Sequence, residues 1–488
     1  MSIINVNNLT FCYDGSYDNI FENVSFSVDT DWKLGFIGRN GRGKTTFLNL
    51  LMGKYNYSGT IASSVAFDYF PFEVADVSRF TIDIAREVSR DVPDWKIKRE
   101  LKLMNVSDDV MYRAFNTLSN GERTKILIAS LFLRENNFLL IDEPTNHLDT
   151  EARERLSEYL NKKSGFILVS HDRSFIDSCC DHILSINRST IEVKSGNFSS
   201  WQREKMRRDE LERQQNERLK KDIERLNEAS LRIASWSDKI EATKIGYGPC
   251  DRGNIGAKAA KMMRHSKAVE SRIERSIEEK EKLMKDVEYE ESLKIRPLEY
   301  FSDRMMALND VSLKYGERAV VNGISFDVRR GDRIALCGNN GCGKSSIIKL
   351  MLGELEPTGG EINVGSKLRV SYVPQDASFL RGYLKNYTSE CGIDETLFFT
   401  ILRKLDFKRV QFEKRMEELS EGQRKKVLLA RSLCESAHVY IWDEPLNFID
   451  VFSRIQLERL ILESCPTMVF VEHDKAFVEK TATKRINL

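Results

Sequence analysis

Two stretches of this 488-residue chain share one order of hydrophobic and polar positions, and a long charged stretch separates them. In each copy a short apolar run of β character, KLGFIG at residues 33–38 and RIALCG at 333–338, precedes a glycine-rich turn. A helical pattern follows each turn and ends on a glycine suited to a helix C-cap, Gly53 and Gly353. Later apolar runs, FLLID and VYIWD, are typical of buried parallel strands. The pattern predicts two α/β domains of the same kind.

The charged stretch between the two copies has its own periodicity. Apolar residues recur there in a pattern that fits alternating steps of three and four with one gap at Ser230, which predicts the narrow apolar seam of two long antiparallel helices. The seam consists of Leu219, Ile223, Leu226, Ile233 and Ile240 on the outward helix and Ile273, Ile277, Met284 and Val287 on the return. The segment KIGYGPCDRGNIG, residues 244–256, has four glycines and a proline and must break the helix.

These patterns divide the chain into three parts. We expect domain 1 at residues 1–200, a helical hairpin linker at 201–297 with its tip at about 240–267, and domain 2 at 298–488. The length suits this division, since two domains of roughly 200 residues plus a connector exceed what a single core supports.

The composition limits the class of protein. With 75 basic and 74 acidic residues, any contact with nucleic acid must come from local patches. Nine cysteines without a C-x-x-C pair argue against disulfides or a zinc site and favour a reducing compartment. The first residues do not resemble a signal peptide, and no apolar run approaches the roughly 18 residues of a membrane span. We therefore expect a cytoplasmic protein without a membrane pore of its own.

The glycine-rich turns, GRNGRGKTT and GNNGCGKSS, match the phosphate-binding loop between a strand and a helix. Glycines let backbone N–H groups approach phosphate oxygens at a helix N-terminus. Lys44 and Lys344 would reach the β and γ phosphates of a nucleotide, and Thr45 and Ser345 would offer hydroxyls to Mg²⁺. The candidate nucleotide-binding residues of these loops are Gly38, Asn40, Gly41, Gly43, Lys44, Thr45, Thr46, Gly338, Asn340, Gly341, Gly343, Lys344, Ser345 and Ser346.

Each of the later apolar runs ends in a pair of carboxylates. Asp142 and Asp443 suit Mg²⁺ coordination, and the two intervals from lysine to aspartate, 98 and 99 residues, are nearly equal. A neighbouring glutamate, Glu143 or Glu444, could orient or deprotonate an attacking water. The two candidate histidines follow further apolar runs at equivalent positions and are His171 and His473.

Two further repeats, LSNGE at 118–122 and LSEGQ at 419–423, complete a set that resembles the ABC-type ATPases. The resemblance implies that two domains pair head to tail within one chain and bind ATP with Mg²⁺. One ATP would lie between the Gly38 loop and the Ser420 signature with Gly422, and the other between the Gly338 loop and the Ser119 signature with Gly121. It also implies that His171 and His473 contact the γ phosphate, and that Tyr13 and Tyr315 stack on adenine.

One position departs from the family pattern. Gln375 follows a proline in domain 2 and can help to hold Mg²⁺ and the nucleophilic water, whereas Phe72 occupies the matching position in domain 1. We therefore expect the first site to be slower or differently gated, with Glu143 and His171 still in place.

The tip of the linker is more basic than its shaft, with seven basic against two acidic residues from 239 to 267. Basic residues interleaved with aromatic ones suit RNA phosphates and unstacked bases. The candidate RNA-contacting residues are Trp236, Lys239, Lys244, Tyr247, Arg252, Lys258, Lys261, Arg264 and Lys267.

Two such ATPase domains joined by a charged helical linker resemble the ABC-F family of translation factors. The tip sequence and the LNFID segment are more narrowly similar to its bacterial antibiotic-resistance members of the Lsa/Vga type. The resemblance implies a ribosomal partner, with large-subunit rRNA and the P-site tRNA near the peptidyl-transferase centre, and resistance to lincosamides, pleuromutilins and streptogramins A. The alternatives are a housekeeping factor that rescues stalled ribosomes, the ATPase subunit of an importer, and a DNA-repair or chromosome-structuring ATPase.

Overall fold

The computed structural model describes residues 2–13, 19–146, 148–187, 190–242, 293–316, 318–339 and 341–488, and single turns or residues at 261, 264, 267–269, 271–273, 275–277 and 280. The chain forms two compact units, Met1–Ser199 with Glu290–Leu488, and Ser200–Tyr289. Both ATPase-like domains belong to the first unit.

Domain 1 contains two sheets. Its strands are β1 (Ile3–Phe11), β2 (Phe21–Asp29), β3 (Lys33–Ile37), β4 (Ser58–Ala62), β5 (Ala66–Phe70), β6 (Asn137–Asp142), β7 (Phe166–Val169), β8 (His182–Asn187) and β9 (Thr190–Ser195). The main sheet has the order β5-β6-β7-β3-β8-β9 and is parallel except for β9. A three-stranded antiparallel sheet, β2-β1-β4, packs on it through a shared apolar core.

The helices of domain 1 cover the main sheet and form a small helical subdomain. They are α1 (Lys44–Leu51), α2 (Thr81–Ser89), α3 (Asp94–Leu103), α4 (Asn120–Leu131), α5 (Thr150–Asn161) and α6 (Arg173–Cys179). The glycine end predicted for α1 is confirmed, because Gly53 follows this helix with φ of 69°.

Domain 2 repeats this arrangement. Its strands are β10 (Arg304–Tyr315), β11 (Arg318–Arg329), β12 (Arg333–Cys337), β13 (Gly359–Val364), β14 (Val370–Val373), β15 (Val439–Asp443), β16 (Met468–Val471) and β17 (Lys484–Asn487). Its helices are α8 (Lys344–Met351), α9 (Leu384–Cys391), α10 (Glu395–Lys404), α11 (Glu421–Cys434), α12 (Val451–Ser464) and α13 (Lys475–Thr481). The parallel sheet has the order β14-β15-β16-β12-β17, beside the antiparallel sheet β11-β10-β13.

The buried strands position the functional residues. Every side chain of β15 is buried, and Trp442 donates from Nε1 to Ser432 Oγ at 3.0 Å, which satisfies its polar atom. In domain 1, β6 pairs with β7 and β7 pairs with β3, all in parallel. The carboxyl ends of these strands therefore meet, and they bring the Gly38 loop, Asp142 and His171 to one edge of the sheet.

The linker begins as a single long helix, α7 (Phe198–Ala242). At about 1.5 Å per residue its 45 residues reach roughly 67 Å. The predicted seam residues Leu219, Ile223 and Leu226 are partly buried between exposed neighbours. Lys280 of the return segment donates to Asp222 at 2.8 Å, so this segment lies beside α7. The predicted break at 244–256 lies outside the described residues, as do Met284 and Val287.

Among the residues that the structure describes, no helix combines the length and the apolar character needed to cross a bilayer.

A buried carboxylate ties α3 to the rest of domain 1. Glu100 is 3% exposed and accepts from Tyr159 Oη at 2.8 Å and from Lys163 Nζ at 2.5 Å. Burial alone would raise the pKa of Glu100. The hydrogen bonds from Lys163 and Tyr159 lower it by more than burial raises it, so the pKa lies below its ordinary value of 4.5. The charged form therefore stabilises the folded domain.

We expect Glu100→Gln to destabilise domain 1 by about 1–3 kcal/mol at neutral pH, because Lys163 loses its buried charged partner. Because the pKa is depressed in the folded state, this contribution is present above pH 4.5 and is lost as the pH falls through the folded pKa. Calorimetric unfolding of the parent protein and the Glu100→Gln variant at several pH values measures the difference in their free energies of unfolding. This difference should become smaller at acid pH. Glu158→Gln on α5 is the exposed control, and a difference that stays constant with pH would contradict the assignment.

Candidate nucleotide-binding sites

Both phosphate loops have the backbone that their glycines predict. Gly41 and Gly43 have φ of 76° and 96°, and Gly341 and Gly343 have φ of 80° and 102°. A side chain at Gly43 would also lie 2.6 Å from Ile20 Cγ2. Both the backbone conformation and the lack of space therefore favour glycine at this position. Asn340 lies outside the described residues.

Each loop lysine folds back over its own loop. Lys44 Nζ donates to Gly38 O at 2.8 Å and to Arg39 O at 3.3 Å. Lys344 Nζ makes the same pair of bonds in domain 2, to Gly338 O at 2.8 Å and to Asn339 O at 2.9 Å. Both ammonium groups thus lie in the concave side of the loop, where phosphate oxygens would bind.

The candidate Mg²⁺ ligands lie at the start of the helices and at the ends of the buried strands. Thr45 Oγ1 donates to Asp142 Oδ2 at 2.9 Å. In the described part of domain 2, Asp443 Oδ1 is buried without a hydrogen-bond partner. Burial raises the pKa of both aspartates above its ordinary value, since a charge there lacks solvation. Paired hydroxyl and carboxylate groups with unsatisfied oxygen fit a bound Mg²⁺.

The two glutamates share an unusual backbone conformation. Glu143 and Glu444 have φ of 52° and 46°, in the left-handed region that side chains rarely adopt. Each is held there by a backbone bond to the neighbouring strand, from Glu143 N to Val169 O at 2.9 Å and from Glu444 N to Val471 O at 3.1 Å. The turn directs each carboxylate to a histidine, with His473 Nε2 3.3 Å from Glu444 Oε1.

The surroundings of the two glutamates differ sharply. Gln375 Nε2 and Asn447 Nδ2 donate to Glu444 Oε2 at 2.9 and 2.6 Å. Burial raises the pKa of Glu444, but hydrogen bonds from His473 and Gln375 outweigh it and lower the pKa to about 2. The glutamate of domain 2 is thus firmly held in its charged form.

In domain 1, burial and the neighbouring Asp142 charge raise the pKa of Glu143 to about 8. His171 Nε2 lies 3.1 Å from Glu143 Oε1, and this oxygen has no hydrogen-bond partner in the described part of the chain. Phe72, in the position of Gln375, packs under Arg134, whose guanidinium carbon lies 5.5 Å from the ring centre. The phenyl ring offers nothing that could hold the glutamate.

Arg134 forms a buried ion pair whose counterpart in domain 2 has different chemistry. In domain 1, Arg134 pairs with Asp68 of β5. At the matching positions of domain 2, Ser371 Oγ donates to Glu435. Each helix end is thus matched to its own strand.

Sequence reasoning missed Tyr69. Its hydroxyl donates to Asp142 Oδ2 at 3.1 Å, beside the bond from Thr45. The matching residue Tyr372 of β14 makes no hydrogen bond to Asp443 among the described contacts. The shared YxP pattern before Phe72 and Gln375 was the available signal, although it does not indicate which tyrosine bonds to the carboxylate.

The signature segments begin the helices α4 and α11. Ser119 and Ser420 are their N-caps, and each forms a reciprocal capping box, with Glu122 and Gln423. The positive ends of both helices therefore face outward from the signature, which suits an anionic ligand.

The Gly38 loop and the Ser420 signature meet across the two domains, and we call this arrangement site A. Asn40 Nδ2 donates to Phe448 O at 2.9 Å, and Lys408 Nζ donates to Gly41 O at 3.2 Å. A side chain at Gly422 would lie 2.4 Å from Phe448 O and 3.4 Å from Asn40 Nδ2. The domains are therefore in direct contact here.

The Gly338 loop and the Ser119 signature line a cleft of about 970 Å³, which we call site B. Gly121 and Leu148 contribute to it from domain 1, and Lys344, Gln375 and His473 from domain 2. Both composite arrangements thus combine the loop of one domain with the signature of the other.

A buried ion-pair network connects the domains behind the sites. Arg173 Nη2 donates to Glu458 at 2.7 Å and lies 3.8 Å from Asp474, which also pairs with Arg454 at 3.3 Å. Arg173 is 4% exposed, and buried pairs of this kind lose much stability when one partner is removed.

The two candidate adenine-stacking tyrosines occupy equivalent positions. Tyr13 Oη lies 2.8 Å from Thr46 Oγ1, and Tyr315 Oη lies 3.4 Å from Ser346 Oγ. Their side chains are 41% and 51% exposed, so each ring has a free surface beside its phosphate loop.

The structure describes only part of the predicted RNA-contacting tip. Lys261, Arg264 and Lys267 are helical and exposed. Lys244, Tyr247, Arg252 and Lys258 lie outside the described residues, and so do the side chains of Trp236 and Lys239.

The sites and the fold define a tandem P-loop ATPase. The family model for the ABC transporter matches residues 21–146 and 321–447, and the chain belongs to this family. Within it the chain is an ABC-F protein, as the sequence predicts. It is 28% identical to "Ribosome protection protein VmlR" of Bacillus subtilis, over 97% of this chain and 85% of that protein. It is 25% identical to "Energy-dependent translational throttle protein EttA" of Haemophilus influenzae, over 95% and 88%.

The fold is also similar to a solved structure. The archaeal ribosome recycling factor aABCE1, in complex with the stalk protein aP1, superposes with a TM-score of 0.64 at 18% identity, over 98% of this chain and 87% of that one. The chain is accordingly an ATPase that uses ATP with Mg²⁺, and the loops, hydroxyls and carboxylates described above fit this ligand.

We expect Tyr69→Phe to raise the Mg²⁺ concentration needed for half-maximal ATP hydrolysis about tenfold at site A, since a hydrogen bond to a charged group contributes about 1.5 kcal/mol. The measurement uses the Glu444→Gln variant, in which the remaining ATP hydrolysis comes from site A with its intact Glu143. The matched control is Tyr372→Phe with Glu143→Gln, where no such bond is lost and no shift is expected. Equal shifts in both backgrounds would contradict a special role for Tyr69.

Proposed function

We propose that this protein is an ATP-gated, ribosome-binding factor of translation. The observation that carries the proposal is that both nucleotide sites are composites of the two domains, which are joined by a linker that begins with a 45-residue helix. Nucleotide bound between the domains would hold them together and so control the linker that joins them.

In this proposal the ATP chemistry is shared between equivalent residues. Lys44 and Lys344 bind phosphate oxygens, and Tyr13 and Tyr315 stack on adenine. The Mg²⁺ ligands are Thr45 and Asp142 at site A and Ser345, Asp443 and Gln375 at site B. Glu143 and Glu444 orient or deprotonate the attacking water, and His171 and His473 contact the γ phosphate. The opposing serines and glycines of the signatures close each site.

The gating follows from where these groups lie. A γ phosphate contacted by the loop of one domain and the signature helix of the other stabilises only the closed arrangement, so ATP shifts the population towards it. Hydrolysis removes that bridging interaction and releases the domains. The differing surroundings of Glu143 and Glu444 support unequal turnover, with site B as the faster site.

The ribosomal part of the proposal is supported by the relatives, since VmlR is named a ribosome protection protein and EttA a translational throttle. The linker would reach large-subunit rRNA and the P-site tRNA near the peptidyl-transferase centre, with the basic and aromatic tip residues on RNA. The protein would act in the cytoplasm as a monomer, without a membrane partner. The domain limits 1–200, 201–297 and 298–488 are part of this proposal.

The finer function that we propose is protection of the ribosome from lincosamides, pleuromutilins and streptogramins A. The similarity to VmlR and the amino-acid sequence of the linker tip favour this function, whereas the similarity to EttA favours a housekeeping role in translation.

The test of the gating proposal is sedimentation with ribosomes. A Glu143→Gln/Glu444→Gln protein should bind ATP without hydrolysing it and stay in the ribosomal pellet, because the closed form persists. Lys44→Ala/Lys344→Ala is the matched control that should not respond to ATP. If the double glutamine protein remains in the supernatant with ATP, the ribosomal function is wrong.

The test of the resistance proposal is growth of a drug-sensitive bacterium that expresses the protein. The minimum inhibitory concentrations of the three drug classes should rise, and they should not rise with Tyr247→Ala, which alters the tip and leaves the ATP sites intact. Unchanged values for the parent, together with ATP-dependent ribosome binding, would favour the housekeeping role.

A further inference from the structure

One face of α3 in domain 1 exposes aromatic and basic side chains together. Trp95, Lys98, Arg99 and Lys102 follow the i, i+3, i+4, i+7 spacing of one helix face. Trp95 is 60% exposed, and Tyr112, which accepts from Lys98 Nζ at 3.1 Å, is 62% exposed. We call these five residues the α3 face. Large aromatic side chains exposed in one patch mark an interaction surface more often than a bare surface.

Cations surround both rings of the α3 face. The Lys98 ammonium lies 5.4 Å from the ring centre of Tyr112. The Arg99 guanidinium carbon and the Lys96 ammonium each lie 5.8 Å from the ring centre of Trp95. The helix thus places positive charge over two rings that remain more than half exposed.

One nearby carboxylate is engaged away from the α3 face, and another is shared with it. Asp94 forms a paired bond with Arg86, at 2.8 and 2.6 Å. Glu100 accepts from Tyr159 and Lys163 with one oxygen, and from Arg99 of the α3 face with the other, at 3.2 Å. Asp108 and Asp109 remain exposed at the beginning of the turn that carries Tyr112. The α3 face therefore keeps an excess of positive charge.

Domain 2 supplies an internal comparison. Its helix α10 has the same length, and its buried Phe398 and Leu402 occupy the positions of Ile97 and Leu101. At the positions of Trp95, Lys98 and Arg99, however, it has Thr396, Phe399 and Thr400. Phe399 packs against Phe398 and Phe412. The fold therefore requires apolar residues at the inner positions of this helix, whereas the residues at the outer positions can differ between the domains.

We propose that the α3 face is a second RNA-binding surface, which takes unpaired nucleotides, with a base stacked on Trp95 or Tyr112 and phosphates on Lys98, Arg99 and Lys102. Flexible unpaired RNA offers both a π-face and a phosphate at this spacing, and aromatic and basic side chains together are what recognises it. An acidic protein surface would use the charges and leave the rings unused. The proposal rests on the proposed ribosomal function, which makes RNA the available partner.

The first experiment measures binding of a fluorescein-labelled single-stranded RNA oligonucleotide to the full chain. Trp95→Ala should weaken the binding contributed by this face about tenfold, since one stacked base is lost, and Trp95→Tyr should restore it. Lys98→Ala/Arg99→Ala/Lys102→Ala should lower the slope of log K against log salt by about two, because each phosphate contact to a single strand contributes about 0.7. Arg403→Ala on α10 is the matched control and should change neither.

The linker tip would also bind RNA, so a second measurement localises the contact. Photo-cross-linking with a 4-thiouridine oligonucleotide should yield a cross-linked peptide that contains residues 95–102. If no such cross-linked peptide forms, and Trp95→Ala and Lys98→Ala/Arg99→Ala/Lys102→Ala bind RNA with full affinity, the proposal is wrong. It is also wrong if the protein binds polyglutamate or anionic vesicles in preference to RNA. Unchanged ATP hydrolysis and thermal unfolding show that the variants are folded.

The two proposals can fail separately. The same substitutions in the Glu143→Gln/Glu444→Gln protein should reduce ATP-dependent retention on ribosomes. If the parent double variant is retained and the α3-face variants are retained equally, the α3 face is not a ribosomal contact. If the parent itself is not retained, the ribosomal function fails, and the oligonucleotide measurements still decide whether the α3 face binds RNA.

Discussion

The direct approach of the Gly38 loop to domain 2 is the contact on which the functional arrangement depends. Asn40 reaches the carbonyl of Phe448, and the approach is close enough that Gly422 has no room for a side chain. Phe448 itself has φ of 62°, which turns its carbonyl towards the loop. A phosphate loop, a signature helix and the segment after the buried strand of the other domain thus form one unit. Behind it, the buried Arg173–Glu458 pair joins the same two domains.

The two sites solve the positioning of their carboxylates differently. In domain 2, Gln375 and Asn447 hold Glu444, and one buried oxygen of Asp443 has no hydrogen-bond partner among the described residues. In domain 1, Phe72 lies under Arg134, Glu143 Oε1 has no hydrogen-bond partner in the described part of the chain, and Tyr69 bonds to Asp142. The additional side-chain hydrogen bonds are thus made to the glutamate in domain 2 and to the aspartate in domain 1. The pair of sites is therefore related by sequence but not equivalent in chemistry.

Much of this could be predicted from the sequence, because repeated motifs constrain each other. The apolar runs predicted the buried strands that end at Asp142 and Asp443, and the loop glycines predicted a left-handed backbone. The role of Tyr69 could not be predicted, since a tyrosine before the proline occurs in both domains and only the packing decides which hydroxyl reaches a carboxylate. The left-handed backbone at Glu143 and Glu444 also gives no signal in composition, as it is imposed by neighbouring strands.

The unlike pairs at these positions have a consequence for the exchange of segments between the two halves. Arg134 needs Asp68, whereas Glu435 is matched to the hydroxyl of Ser371. A recombination event that copied only the strand segment of one repeat into the other would place Asp68 opposite Glu435, or leave the guanidinium of Arg134 opposite a serine. The first product places two carboxylates side by side next to Arg431, and the second leaves the buried Arg134 without Asp68. Exchange of this strand segment between the repeats is therefore unfavourable unless the end of the following helix is exchanged with it.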